Sequence, residues 1–366
     1  MSTLINSVVN RIIRFMSRVI NYHRRRYDYS FRDERITGLV KNRNVLTKEQ
    51  KKELQALWGR LDKHYDIANH AFFVELNGDY DPHYIPNGFH YIAIDQYFND
   101  WNMATTLDNK SLYKKIFNVR MPVDICYRMN GFWFDSNYNI ISQEKAIELI
   151  SAHDEAFMKV ARDSYCGKGV FFLSPEIIKT PGGIAGEIAQ TGKSDLVVQE
   201  AIRQSPVTAA FCPSAVNSLR VFTFLKKDGT PQVFTMFLRT GVGTAKVDNA
   251  FKGGLCCGIN PENGQMRAVA YDTNGGKYTE HPTSHIRFSD IKIPNIEAVK
   301  ALVCKAHPCI PYFRLVGWDV ALDENNEPLL MEANMAHPGL EMPQICNGPM
   351  FGDLYDEVMA EVFGKR

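Results

Sequence analysis

Eight cysteines are spread through the chain, and no two of them form a Cys-x-x-Cys pair. That absence removes the spacing used by tetrahedral zinc and by dithiol redox sites. A chain of 366 residues needs no covalent staples either, so the thiols read as reduced, in a cytosolic protein. No window approaches the run of about 20 apolar residues that spans a bilayer. An excess of one charge is missing as well: 42 lysines and arginines meet 41 aspartates and glutamates, so nothing global points to nucleic acid. The phosphate loop Gly-x-x-x-x-Gly-Lys-Ser/Thr does not occur. Neither does a Gly-x-Ser-x-Gly elbow, which leaves Ser, His and Cys triads without support.

The residues that are present describe a folded, soluble protein, with 45% apolar and 23% charged side chains and length for two or three domains. Acidic residues are absent from Met1 to Tyr27. Over that stretch Leu4, Ile5, Val8, Val9, Ile12, Ile13, Met16, Val19 and Ile20 recur at helical spacing, with Arg11, Arg14 and Arg18 on the other face. The arginines interrupt any signal-peptide core. The pattern predicts an amphipathic helix that docks on the rest of the protein, on a second subunit, or on an anionic membrane face.

Further along, Thr47 and Gln50 form a capping box that opens a helix to about Asp62. Residues 70–105 are aromatic and turn-rich and give no clear period. A short helix is expected over 108–117, strands over 121–127 and 131–134, and a helix capped by Ser142 through Ile150. Strands are expected over 156–160, 170–173 and 196–200, then hairpins joining 219–225 to 232–238 and 315–322 to 328–333. Helices over 295–307 and 353–363 complete an α+β pattern with antiparallel sheets.

The last hairpin carries the strongest candidate chemistry. Glu332 and Asn334 stand two apart on a strand and share a face, and the short turn brings Asp319 opposite them. Three oxygen donors suit a hard cation such as Mg²⁺, whereas exposure of both acids to water is the plain alternative. Lys159 ends an apolar strand beside Gly167-Lys168-Gly169, where a cation and close backbone approach could hold phosphates, or where an ordinary hairpin turn could lie. Val197 to Ile202, with Gln199 and Glu200, can present backbone groups to an adenine edge or form a plain edge strand. Arg220, alternating within Ser-Leu-Arg-Val-Phe, is a phosphate clamp or a surface residue.

Taken in order, these residues resemble the ATP-grasp superfamily. Gly317-Trp318-Asp319 and Met331-Glu332-Ala333-Asn334 are similar to its Gly-x-Asp … Glu-x-Asn metal signature. Val216 to Val221, Asp248-Asn249 with Gly253-Gly254, Asn260 to Gly264, His281-Pro282 and Gln344 resemble the sugar-transfer-associated group, related to the α-L-glutamate ligase-like enzymes. The resemblance implies an ATP-grasp fold, two α+β subdomains holding ATP between them. It divides the chain into a helix and linker over 1–45, a preceding region over 46–145, and subdomains over 146–205 and 206–366.

The same resemblance implies residue roles. Lys110 (with Lys114 as its rival) and Lys159 would bind nucleotide phosphates under the loop Gly167-Lys168-Gly169. Gln199, Glu200 and Ile202 would meet adenine, and Arg220 would neutralise the γ-phosphate. Asp319, Glu332 and Asn334 would hold Mg²⁺. Arg220, Arg239 and Lys159 are the candidate catalytic cations. Arg239, Asn249, Lys252, Gly253, Gly254, His337, Gly339 and Gln344 are candidate acceptor contacts, Arg239 toward an acidic acceptor. The expected activity is a Mg²⁺- and ATP-dependent ligase that activates a carboxylate for an amine or hydroxyl, on a small molecule or a saccharide. A kinase and a nucleotide-binding scaffold of polysaccharide machinery are the alternatives. The expected location is cytoplasmic or peripheral at the inner membrane face, with residues 1–27 meeting membrane or a second copy. Asp319→Asn and Glu332→Gln are both expected to abolish turnover with the fold intact.

Overall fold

A computed structural model of the chain describes residues 44–62, 65–78, 80–162 and 169–364, with a few positions before residue 41. Apart from Ile12, Phe15 and Met16, the helix expected over 1–27 lies outside the described residues, as do Gly167 and Lys168. Among the described residues no helix is long and apolar enough to cross a membrane. The chain forms two compact units, 1–97 with 348–366, and 98–347.

The first unit is helical. Thr47 caps the helix Lys48–Leu54 with the expected reciprocal bonds to Gln50, and the chain continues as a π-type turn over Gln55–Gly59. The aromatic stretch with no readable period is helical from Ala68–Asn77, then winds through short turns. Its rings serve as core rather than as a stripe: Phe73 stacks on Tyr84 at 4.1 Å, and Trp58 lies 5.0 Å from Phe89. Side chains that pack on all sides erase the amphipathic signal. The closing helix, Tyr355–Phe363, returns to this unit and sets Phe363 6.1 Å from Phe89.

The second unit holds two antiparallel sheets. The first runs β3-β2-β1-β6-β4-β5, from β1 (Asp124–Met129), β2 (Phe132–Asp135), β3 (Ile140–Ile141), β4 (Ala156–Val160), β5 (Val170–Leu173) and β6 (Leu196–Glu200). One face buries Cys126, Met158 and Val198 under the helices Gln143–Ser151 and Gly183–Gln190. The other face carries Lys159 and Gln199.

The second sheet runs β11-β10-β9-β8-β7-β12-β13. Its strands are β7 (Leu219–Leu225), β8 (Pro231–Thr240), β9 (Leu255–Ile259), β10 (Met266–Tyr271), β11 (Lys277–Tyr278), β12 (Leu315–Leu322) and β13 (Pro328–Asn334). Val221, Leu238, Cys257, Trp318 and Leu330 turn to a core shared with the helix Ile296–Ala306. Inside it the Trp318 indole N–H donates to Thr223 Oγ1 at 2.7 Å, and Thr223 meets His307 Nδ1 at 2.7 Å. His307 Nε2 reaches the Phe313 carbonyl at 2.9 Å, and burial pushes its pKa down to about 4. These hydrogen bonds partner the buried polar groups of Trp318, Thr223 and His307 and lock β12 against β7.

Two expectations shift. The strands placed at 121–127 and 131–134 begin later, at Asp124 and Phe132. The helix placed at 108–117 is a 3-10 turn, Lys110–Leu112, followed by Tyr113–Ile116.

Candidate active site

The site begins with a defect in the last hairpin. Leu322 pairs with Pro328, Ala321 with Leu329 and Val320 with Leu330, but Asp319 pairs with Glu332, so Met331 is an extra residue on β13. Without that bulge Glu332 would share the core face of Leu330, two residues away. With it, Glu332 and Asn334 turn to the other face and Glu332 stands beside Asp319, as bulges next to functional sites do.

The row continues across the sheet. Asp319 also pairs with Arg220 on β7, and Arg220 with Phe237 on β8; Arg239 lies one pleat further along the same face. Arg220 grips Asp319 through both oxygens, Nε to Oδ1 at 2.5 Å and Nη2 to Oδ2 at 3.2 Å. Arg239 Nη2 reaches Asp319 Oδ2 at 2.9 Å. With only 6% of its side chain exposed, Asp319 is a buried anion between two guanidiniums. Burial alone would raise its pKa, but Arg220 and then Arg239 outweigh burial and hold it below the usual carboxylate range.

Arg239 is itself enclosed. It donates to Ser218 Oγ at 2.7 Å, and its Nε lies 3.4 Å from Asp248 Oδ2. Burial opposes its charge, yet Asp248 and Asp319 together keep it protonated. In this arrangement the Nε and Nη2 groups of Arg239 are directed to Ser218, Asp248 and Asp319. Asp248 and Ser218 were within reach of the sequence, next to Asn249 and Arg220, but no pattern assigned them a role.

Lysines face the row. Asn109 caps the turn that carries Lys110, its side chain accepting from Ser111 N at 3.0 Å, which accounts for the residue standing between Asp108 and Lys110. Lys110 Nζ then meets Glu332 Oε1 at 3.0 Å. Burial lowers the pKa of Lys110, and Glu332, Asp108 and Asp319 more than restore it, leaving it raised. Tyr113 fixes the separation: its hydroxyl donates to the carbonyl of Ala333, between Glu332 and Asn334, at 3.3 Å. Lys114 points elsewhere and donates to the Ser136 carbonyl at 2.8 Å.

On the first sheet Lys159 Nζ donates to Gln199 Oε1 at 2.8 Å, and Gln199 donates to Asp124 Oδ1 at 2.8 Å. Burial pushes Lys159 down to about 8, against the partial pull of Glu332. Phe157 and Phe172 lie on the same face, their rings 5.1 Å apart. Gly169, at φ +73°, takes the left-handed conformation that glycine permits, and its carbonyl accepts from Val160 N. The Glu200 amide is spent on the Val123 carbonyl, and Ile202 follows half-buried beyond the strand end.

The remaining candidates disperse. Asn249 caps the turn Ala250–Lys252, and Lys252 is exposed. Gly253 has φ +88°, and a Cβ on Gly254 would lie 2.7 Å from the Thr240 and Asp248 carbonyl oxygens, so both glycines have a backbone reason to be there. His337, with φ +53°, sets its ring 4.0 Å from Trp101, Gly339 is open, and Gln344 is fully buried in the helix Glu341–Asn347.

As a cation site the row offers oxygen donors only, which fits a hard ion. Among the described residues no group of three His, Cys, Asp or Glu side chains is placed to hold a metal, so the set is two carboxylates and an amide. The buried amide nitrogen of Asn334 has no partner, and a turn of that amide would aim its oxygen at the same space.

Buried lysines and arginines facing two carboxylates across a pair of antiparallel sheets are the arrangement of the ATP-grasp fold. The chain belongs to the sugar-transfer associated ATP-grasp family, whose profile matches residues 92–358. No curated protein matches its sequence. Among solved structures, a carboxyaminoimidazole ribonucleotide synthase from Aspergillus clavatus, complexed with ATP, is 12% identical at a TM-score of 0.40, over 64% of this chain and 46% of that one. The ATP-grasp ligase PsnB, complexed with minimal precursor, Mg and ADP, is 12% identical at 0.43, over 74% and 62%. The D-alanine-D-alanine ligase from Coxiella burnetii is 11% identical at 0.41, over 73% and 61%. The match thus spans less than two thirds of each of those chains.

One prediction arises directly from Lys159. Between about pH 8 and its ordinary 10.5 the folded protein binds fewer protons here than the unfolded chain, so this residue's contribution to stability rises with pH through that window. An anionic ligand on Lys159 reverses the shift. Nucleotide binding near pH 9 is therefore expected to take up protons, seen as a dependence of calorimetric heat on the buffer's ionisation enthalpy. Lys159→Met should abolish the uptake and weaken nucleotide affinity about tenfold to a hundredfold. Equal heats in all buffers would exclude the phosphate role.

Proposed function

We propose that the protein is a Mg²⁺-dependent, ATP-using ligase that activates a carboxylate and passes the acyl group to an amine or hydroxyl, on a saccharide or its amino-acid decoration. The observation that carries this reading is the row Glu332–Asp319–Arg220 on one sheet face, with Lys110 and Lys159 turned toward it. Lys110, Lys159 and Arg220 would bind the phosphates, and Asp319, Glu332 and Asn334 would hold the cation, which supplies charge neutralisation for the transferring phosphoryl group. A substrate carboxylate oxygen would bond to the γ-phosphorus as the bond to ADP breaks. The amine or hydroxyl would then form the acyl bond, with phosphate leaving and one proton released to solvent. Arg220 and Lys159 would stabilise charge on the phosphoryl oxygens in the first step.

The test is the fate of a labelled oxygen. With an ¹⁸O-carboxylate substrate, ligation is expected to place one ¹⁸O in the inorganic phosphate released. A kinase leaves no free phosphate and retains the phosphoryl group on the product, and that outcome would replace the ligase reading.

A further inference from the structure

We propose that Asp248 is a second seat for the Arg239 guanidinium, so that a divalent cation drawn to Asp319 moves Arg239 onto Asp248 and fixes the 248–254 segment. The inference rests on the reading that Asp319 helps hold a cation. It starts from an excess at that residue. Two guanidiniums stand on one buried carboxylate, at 2.5 Å and 2.9 Å, and each would repel a dication at close range. Arg220 faces the space where phosphates would lie and can turn to them. Arg239, no more exposed than Arg220 at 14% of its side chain, needs another anion to keep its charge paired.

Asp248 is that anion, oriented in advance. Its Oδ2 accepts from the Ser218 amide at 2.9 Å and from the Ser218 hydroxyl at 2.5 Å. Arg239 Nε now stands 3.4 Å from the same oxygen, beyond an ordinary hydrogen bond, while its Nη2 leans to Asp319. A shift of a few tenths of an ångström would close the first contact as the second is given up, and the Ser218 hydroxyl lies within reach of both Arg239 nitrogens, at 3.2 Å and 2.7 Å. No backbone movement is required of β8.

The seat is on a segment that would feel the change. Asp248 precedes Asn249, which caps Ala250–Lys252, and Gly254 is packed against the carbonyl oxygens of Thr240 and Asp248. Lys246, two residues upstream, reaches over the Phe172 ring of the first sheet at 5.9 Å. Pairing Asp248 fully with Arg239 therefore ties down the stretch that joins the cation row to the phenylalanine face of the first sheet. Asp248 is a positioning residue in this scheme, acting through Arg239.

The experiment is a Mn²⁺ titration of the full chain with ADP present, read by electron paramagnetic resonance. Asp248→Asn, which keeps the oxygen for Ser218 but not the charge, is expected to weaken Mn²⁺ by about 10–100-fold, as losses next to a metal ligand do, while metal-free ADP affinity stays unchanged. Adding Arg239→Met to that variant should restore Mn²⁺ affinity, because no charge is left to compete for Asp319. In the unmodified protein, hydrogen exchange over 248–254 should slow when Mn²⁺ and ADP are both added. Unchanged Mn²⁺ affinity in Asp248→Asn, a double variant as weak as the single one, or exchange indifferent to Mn²⁺ would each overturn the proposal. Glu332→Gln serves as the separate control: if it leaves Mn²⁺ affinity unchanged, the cation reading itself fails, whatever Asp248 does.

Discussion

Asp319→Asn is expected to melt well below the unaltered protein, with about 3–5 kcal/mol of stability lost, in addition to losing turnover. The substitution keeps shape and removes the one anion that faces both Arg220 and Arg239. Arg239 retains Asp248, but Arg220 shows no other carboxylate at ion-pair distance among the described residues, and only 14% of its side chain is exposed. A buried guanidinium without its partner bears a desolvation cost that water cannot repay. This revises the expectation drawn from sequence, that the fold would survive the change, because the sequence placed Asp319 beside a cation and not between two arginines. The acid limb should behave alike. Asp319's carboxyl is held below its ordinary range, so its contribution is present at neutral pH and is lost as pH falls through the lowered value. Chemical denaturation at pH 7 checks the claim; an unchanged midpoint would mean the guanidiniums are balanced by groups other than Asp319.

Glu332→Gln separates chemistry from stability. Glu332 is 29% exposed and meets one partner, Lys110, which also feels Asp108 and Asp319. Loss of its charge should therefore leave the melting transition nearly unmoved. Turnover should fall by more than the roughly 10–100-fold that outer-shell losses cost, because Glu332 would be a direct ligand and is the ion-pair partner of Lys110. The measurement is Mg²⁺-dependent ADP formation, alongside a melting curve. Normal ADP formation would remove Glu332 from the site, and a large drop in melting temperature would show that the row is a structural ion network. The pair of variants thus reads out two neighbours on adjacent strands in opposite ways, one mainly through folding and one mainly through catalysis.

The hairpins were legible because apolar runs flank clear turn residues: Asp-Glu-Asn-Asn-Glu between β12 and β13, and Lys-Asp-Gly between β7 and β8. β4, β5 and β6 were legible as short apolar runs with polar ends. β9, Leu-Cys-Cys-Gly-Ile, gives no alternation because all five residues are buried, and β10 breaks its register in mid-strand. The helix Ala68–Asn77 hides because most of its residues, from Ala68 through Phe73, are buried in succession and leave no polar face to mark a period. Glu332, Asn334 and Asp319 were readable as candidates from residue type and order. The enclosure of Asp319 was not readable, because it depends on Arg239 and Asp248, brought together by β8 and the segment after it. No local pattern links Ser218 to Asp248, 30 residues apart in sequence.

The extra residue at Met331 has a bearing on how such a site can change. Strand alternation would send Glu332 toward Trp318 and Leu330, and only the bulge sends it toward Asp319. Between the turn and this pair β13 carries four residues, 328–331, where β12 carries three, 320–322. A deletion of one residue from the β13 stretch would make the two arms equal, and a regular ladder would still set Glu332 opposite Asp319. An insertion of one, with a single bulge kept, would exchange the two faces and drive the carboxylate into the apolar core. The site is therefore specified partly by the difference in length between two arms, a property that no residue identity carries, and the hairpin tolerates a residue lost where it cannot tolerate one gained.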